Sequence, residues 1–148
     1  TEAAAAPSVN AATVTQSAVC RGGNITVNFT TSANFNAGNV FTVELSDANG
    51  SFTNPTSIGT LNATTPAQIT AQTPVGATGG TGYRVRVVAS NPASTGTQSS
   101  PFTITVPAAA PSITFDGRTL TASGSGVYTW LFNGNPISGA TNATYVPI

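Results

Sequence analysis

Gly22-Gly23-Asn24-Ile25-Thr26-Val27-Asn28-Phe29-Thr30 decides the fold. Ile25, Val27 and Phe29 alternate with Thr26, Asn28 and Thr30, the period of two that sends one face of a strand into a core and the other into water. The same alternation recurs downstream. Phe41, Val43 and Leu45 alternate with Thr42 and Glu44 and stop at the turn Asp47-Ala48-Asn49-Gly50. Tyr83, Val85 and Val87 alternate with Arg84 and Arg86, and Phe102, Ile104 and Val106 with Thr103 and Thr105. Weaker strands are expected around Ile58 to Leu61, around Ile69, and at Ser8 to Thr15, the last as a first edge strand. Nowhere does helical periodicity of useful length appear, so the chain reads as all-β.

About seven strands over residues 8–106, separated by turn residues, have the size and spacing of an immunoglobulin-like sandwich. The expected inner faces carry Ile25, Val27, Phe29, Phe41, Val43, Leu45, Tyr83, Val85, Val87, Phe102 and Ile104. Tyr83, at the start of its strand, fits a corner role in which the hydroxyl bonds nearby backbone. Val27 and Val85 stand where antibody domains place their disulfide. Cys20 lies before the strand and reads first as a buried free thiol, with an orphan whose partner lies elsewhere, or an intermolecular link, as the alternatives.

Pro107-Ala108-Ala109-Ala110-Pro111 is a proline-bracketed run of small residues that cannot pack a core, which divides the chain into 1–107 and 108–148. In the second part Ile113 and Phe115 lead to the turn Asp116-Gly117. Leu120 and the break Gly124-Ser125-Gly126 follow, then Val127-Tyr128-Thr129-Trp130-Leu131-Phe132 and an Asn133-Gly134 hairpin turn.

Composition narrows the chemistry. The 148 residues are 39% hydrophobic, enough for a core, yet only 5% charged, four arginines against four acids. A net charge of zero offers no footprint for nucleic acid or anionic lipid. No apolar run approaches the roughly 20 residues of a membrane helix, and no basic region with an apolar stretch opens the chain, which therefore reads as mature and not membrane-inserted. Histidine, lysine and methionine are absent and cysteine occurs once. That inventory excludes a Ser-His-Asp triad, a Cys-His pair, imidazole zinc ligands and Lys-Asn isopeptide staples. Glu44 and Asp47, one on a strand and one in a turn, do not form the facing pair that glycoside hydrolysis needs. No catalytic residue, metal ligand or cofactor site is expected. Asp47-Ala48-Asn49-Gly50-Ser51 resembles half a calcium loop but lacks the acid that would close the ligand shell, so it reads as a turn. Arg84 and Arg86 read as one solvated strand face paired with Glu44. The five N-x-Ser/Thr sequons, at Asn24, Asn28, Asn49, Asn62 and Asn142, follow from richness in Asn and Thr.

Residues 18–106 resemble the Ig-like repeats of large secreted surface proteins of Bacteroidetes. The resemblance is carried by Ala18-Val19-Cys20-Arg21-Gly22-Gly23-Asn24-Ile25-Thr26-Val27, Phe35-Asn36-Ala37-Gly38-Asn39-Val40-Phe41, Leu45-Ser46-Asp47-Ala48-Asn49-Gly50-Ser51-Phe52 and Gly82-Tyr83-Arg84-Val85-Arg86-Val87. The segment Tyr128-x-Trp130-x-x-Asn133-Gly134-x-x-Ile137-x-Gly139-Ala140-Thr141 resembles the C to C′ region of a further short Ig-like repeat, whose tryptophan fills the sandwich centre. The resemblance implies a non-enzymatic, extracellular module of an adhesin or surface fibre, often exported by the type IX route, with neighbouring Ig-like domains as partners. An adhesive module binding a carbohydrate or protein ligand is the alternative. It also implies a second Ig-like module that is incomplete, ending at Ile148 without closing strands and leaving the flank of Trp130 open. Edges without lysine or other charge invite strand addition. If Ile148 is a true end, the expectation is that another copy completes this module by donating Ser8 to Thr15 head to tail, with Ser8, Val9, Val14, Trp130 and Tyr145 as the assembly residues; the alternative is that the sequence stops within a complete repeat.

Overall fold

Strands follow wherever the period-two pattern predicts them. The structure, a computed structural model, describes residues 5–147; the start of the small-residue leader, residues 1–4, and Ile148 lie outside the described residues. The chain is all-β and divides into two compact units, Thr1–Pro107 and Ala108–Ile148.

The first unit holds β1 (Thr13–Val14), β2 (Ala18–Cys20), β3 (Asn24–Asn28), β4 (Val40–Leu45), β5 (Thr56–Asn62), β6 (Ile69–Gln72), β7 (Gly80–Tyr83), β8 (Val85–Ser90), β9 (Ala93–Thr95) and β10 (Phe102–Thr105). One sheet has the order β1-β3-β6. Facing strands form the orders β5-β4-β8-β9 and β2-β10-β7. All eleven residues expected on the inner faces are buried, joined by Val9, Ala12, Phe35, Ile69, Ala71 and Ala89. Phe41 sits fully buried at the centre, its ring edge-on to Phe29 at 4.9 Å and to Phe35 at 5.2 Å.

Among its described residues the unit has ten strands rather than about seven, because three long strands are interrupted. The first changes sheet: β1 runs antiparallel to β3, whereas β2 runs parallel to β10. Gln16 makes the change possible, since its Oε1 accepts the Thr26 N–H at 2.9 Å where a ladder carbonyl would stand. The second break falls at Arg84, between β7, which pairs with β10, and β8, which pairs with β4. There the buried hydroxyls of Ser46 and Ser99 accept the N–H groups of Arg84 and Val85 at 2.8 and 3.1 Å. The third separates β9 from β10.

Another bulge lies between β4 and β5, where the register slips at Val43/Glu44 beside Gly59. A Cβ on Gly59 would lie 3.0 Å from that of Ala71, so the two sheets approach there only because both residues are small. Tyr83 takes the corner role, its hydroxyl donating to the Thr78 carbonyl at 2.8 Å. Two sequence expectations change. Cys20 is exposed rather than buried: it lies on β2, a strand outside the alternating segments, and its sulfur accepts from Thr105 Oγ1 at 3.5 Å. Arg84 does not share the Glu44 partner, because at the strand break its Nη1 turns to the Ser99 carbonyl at 2.8 Å.

The second unit has β11 (Ile113–Phe115), β12 (Leu120–Ala122), β13 (Leu131–Phe132), β14 (Asn135–Pro136) and β15 (Thr144–Tyr145). They form a sheet of order β11-β12-β15 and the separate hairpin β13-β14. None of its described residues is fully enclosed: Ile113, Phe115, Val127, Leu131 and Phe132 are all more than half exposed. Asp116 closes its turn by accepting from Thr119 N–H at 2.6 Å and Arg118 N–H at 2.9 Å. These bonds, the one from Thr119 foremost, hold the exposed carboxyl below its ordinary 3.8. The unfolded chain takes up the proton first on acidification. The turn's carboxylate contribution is therefore complete above about pH 3.8 and lost as the pH falls through the lower folded value. Amide shifts of Arg118 and Thr119 followed by NMR should inflect below that pH; an inflection at or above 3.8 would contradict the bonding.

Candidate functional site

The apolar run Val127 to Phe132 leaves more hydrophobic side chain than two short strands can cover. Trp130, Ile137, Leu120 and Tyr145 turn toward one another and remain half-buried. They line an open groove of about 540 Å³ together with Leu131, Phe132 and Pro147. The Trp130 ring stacks on Tyr145 with centroids 5.8 Å apart and planes at 29°, and its Nε1 donates to the Asn142 carbonyl at 2.9 Å. Tyr128 is fixed by donation from its hydroxyl to the Gly124 carbonyl. Phe132, 71% exposed, stands at the rim. The apolar walls, without a charged side chain, suit a flat or apolar ligand surface.

Of the five residues expected to act in assembly, Trp130 and Tyr145 meet in this groove. Ser8, Val9 and Val14 belong to the first unit and are already in use there. Val9 is buried, bridges Thr31, and donates its N–H to Ser94 Oγ at 3.0 Å. Ser8 N–H donates to Ser32 Oγ at 2.9 Å, and Val14 pairs with Val27 while packing on the core. In this structure the segment Ser8 to Thr15 closes its own sandwich, so lending it to another copy would uncover Val9 and Ala12. Deleting residues 1–15 is expected to destabilise the first unit by on the order of 3 kcal/mol, from lost burial and edge pairing, in chemical denaturation. Unchanged stability after the deletion would restore the segment as a free strand.

The remaining candidates resolve into structural contacts. Arg86 Nε meets Glu44 Oε2 at 2.7 Å, and its guanidinium lies 4.5 Å from the Phe52 ring centroid. The Asp47 loop is a turn. Asp47 Oδ1 accepts from the N–H groups of Asn49 and Ser51 at 2.9 and 2.8 Å, and its carbonyl accepts from Gly50 N–H at 3.1 Å. Among the described residues no three His, Cys, Asp or Glu side chains gather where a metal ion would need them, and no helix is long and apolar enough to cross a membrane.

Sequence reasoning missed Asn39 and the rim position of Phe132. Asn39 is almost fully buried and ties three backbone groups together, and no local pattern separates it from the many exposed asparagines. Phe132 lies in a stretch with apolar side chains on both faces, in which alternation gives no facing. No protein-family profile matches the chain, and comparison with curated proteins finds no match either.

Proposed function

We propose that the chain is a non-enzymatic, extracellular structural module of a bacterial cell-surface protein, its first unit an Ig-like repeat of the kind borne by large secreted proteins of Bacteroidetes. The observation that carries this reading is the path of the chain through the first unit. It enters beside Ser32, beyond the C-terminal end of β3, and leaves after Thr105, beside Arg21 at the other end of that strand. A module entered at one end and left at the other is suited to stringing in series. The Tyr83 corner and the sheet change between β1 and β2 support the Ig-like assignment. Outward strand faces solvated by Thr and Asn rather than by lysine fit a surface fibre that carries almost no charge. The test is protease shaving of intact source cells followed by immunoblotting. Loss of the protein while a cytoplasmic marker survives supports the proposal; retention with that marker overturns it.

The groove favours a second reading, an adhesive module for a carbohydrate or protein ligand, because Trp130, Phe132 and Tyr145 present aromatic surface there. Glycan-array binding that disappears in Tyr145→Ala would rank this reading first.

A further inference from the structure

We propose that Asn133-Gly134, at the tip of the β13–β14 hairpin, is a self-modification site that loses its side-chain nitrogen as ammonia, whereas the fold protects the identical pair Asn49-Gly50. The sequence holds these two Asn-Gly pairs. In each, the nucleophile is the backbone nitrogen following the asparagine, and glycine leaves it unscreened by a side chain. The two nitrogens are held differently.

At the first pair, Gly50 N–H donates to the Asp47 carbonyl at 3.1 Å, and Asp47 Oδ1 grips the N–H groups of Asn49 and Ser51 on either side. Attack by Gly50 requires that bond to break and the clamped turn to open. At the second pair, no acceptor among the described residues takes the Gly134 N–H. Asn133 and Gly134 are both exposed, and the space where a Gly134 side chain would begin is open to 4 Å. The flanking strands are two residues long, and Asn133 sits at φ 50, the left-handed region that asparagine tolerates less well than glycine. The backbone rotation that brings nitrogen to side chain therefore meets little resistance.

The chemistry balances with water alone. Gly134 N gives its proton to hydroxide and attacks Asn133 Cγ. The N–Cγ bond forms, the Cγ–Nδ2 bond breaks, and the departing nitrogen takes a proton from water and leaves as ammonia. A second water opens the five-membered succinimide at either carbonyl. The product is aspartate, or isoaspartate with the backbone rerouted through the side chain. A chain of zero net charge thereby gains one carboxylate, next to Phe132 at the groove rim.

The folded chain is incubated at mildly alkaline pH and both sites are quantified by peptide mapping and mass spectrometry. Position 133 is expected to convert roughly fivefold or more faster than position 49, the ratio set by one intact backbone hydrogen bond at Gly50. In urea, where neither turn is held, the rates should converge. Asn133→Gln, which enlarges the ring by one atom, should remove the faster-forming acidic species on ion exchange. Equal folded rates, faster loss at position 49, or a ratio that persists in urea would each overturn the proposal.

Discussion

Replacing Phe41 by alanine is expected to destabilise the first unit by about 3–5 kcal/mol in chemical denaturation. Phe41 is fully buried on β4, between β5 and β8, and supplies the ring on which both Phe29 and Phe35 rest edge-on. Removing it opens a cavity beside Phe29 and Phe35 at the centre of the core, and the ladders that hold β4 between β5 and β8 limit how far the site collapses around the gap. Against a total stability of about 5–15 kcal/mol for a domain of this size, that loss leaves a marginal fold. Phe41→Leu, which keeps much of the volume, should cost distinctly less. A loss below about 1 kcal/mol for the alanine variant would mean that the side chain does not sit in the core.

Asn39→Leu is expected to be nearly as damaging although it adds apolar surface to a buried position. Asn39 Nδ2 donates to the Ala63 carbonyl at 2.9 Å, and Oδ1 accepts from the N–H groups of Ser90 and Asn91, each at 3.0 Å. One side chain thus joins the start of β4, the end of β5 and the end of β8. Leucine deprives all three backbone groups of the partner that the buried Asn39 side chain supplies, which puts the loss at about 3 kcal/mol. Asn39→Asp retains the one oxygen that accepts both N–H groups and sets its second carboxylate oxygen against the Ala63 carbonyl, so an intermediate loss is expected. Hydrogen exchange at the Ser90 and Asn91 amides is the local readout. Protection unchanged in Asn39→Leu would show that the latch carries nothing.

What was legible in the sequence follows from which forces act locally. Burial alternates along β3, β4 and β8, so apolar side chains such as Ile25, Val43 and Val87 themselves report the inner face. β2 and β9 carry no such signal. Ala18–Cys20 is a strand because β10 offers it a parallel edge, and Ala93–Thr95 because β8 offers it an antiparallel one, contacts about 85 residues and a hairpin away respectively. Asn39 is invisible for the complementary reason: its three partners come from distant segments, and only the fold gathers them. In the second unit the run Val127 to Phe132 carries apolar side chains on both faces, so alternation gives it no facing, and Trp130, expected at a sandwich centre, lines an open groove with Tyr145 instead. Ser8 to Thr15 shows a further limit. Its edge-strand pattern was readable, whereas its occupation by the unit's own core depends on Val9 and Ala12 being buried in three dimensions.

The parallel pairing of β2 with β10 also gives the first unit a mechanical character. The two strands lie near the unit's N- and C-terminal ends and run in the same direction, with Ala18, Val19 and Cys20 level with Thr103, Ile104 and Thr105. Tension drawn between those ends slides the strands past one another along their length. Every rung of the pair then takes strain at once, whereas a hairpin tugged at its mouth parts one rung after another. With its only cysteine unpaired, this unit resists stretching through a shared backbone ladder and has no covalent bolt across its sheets.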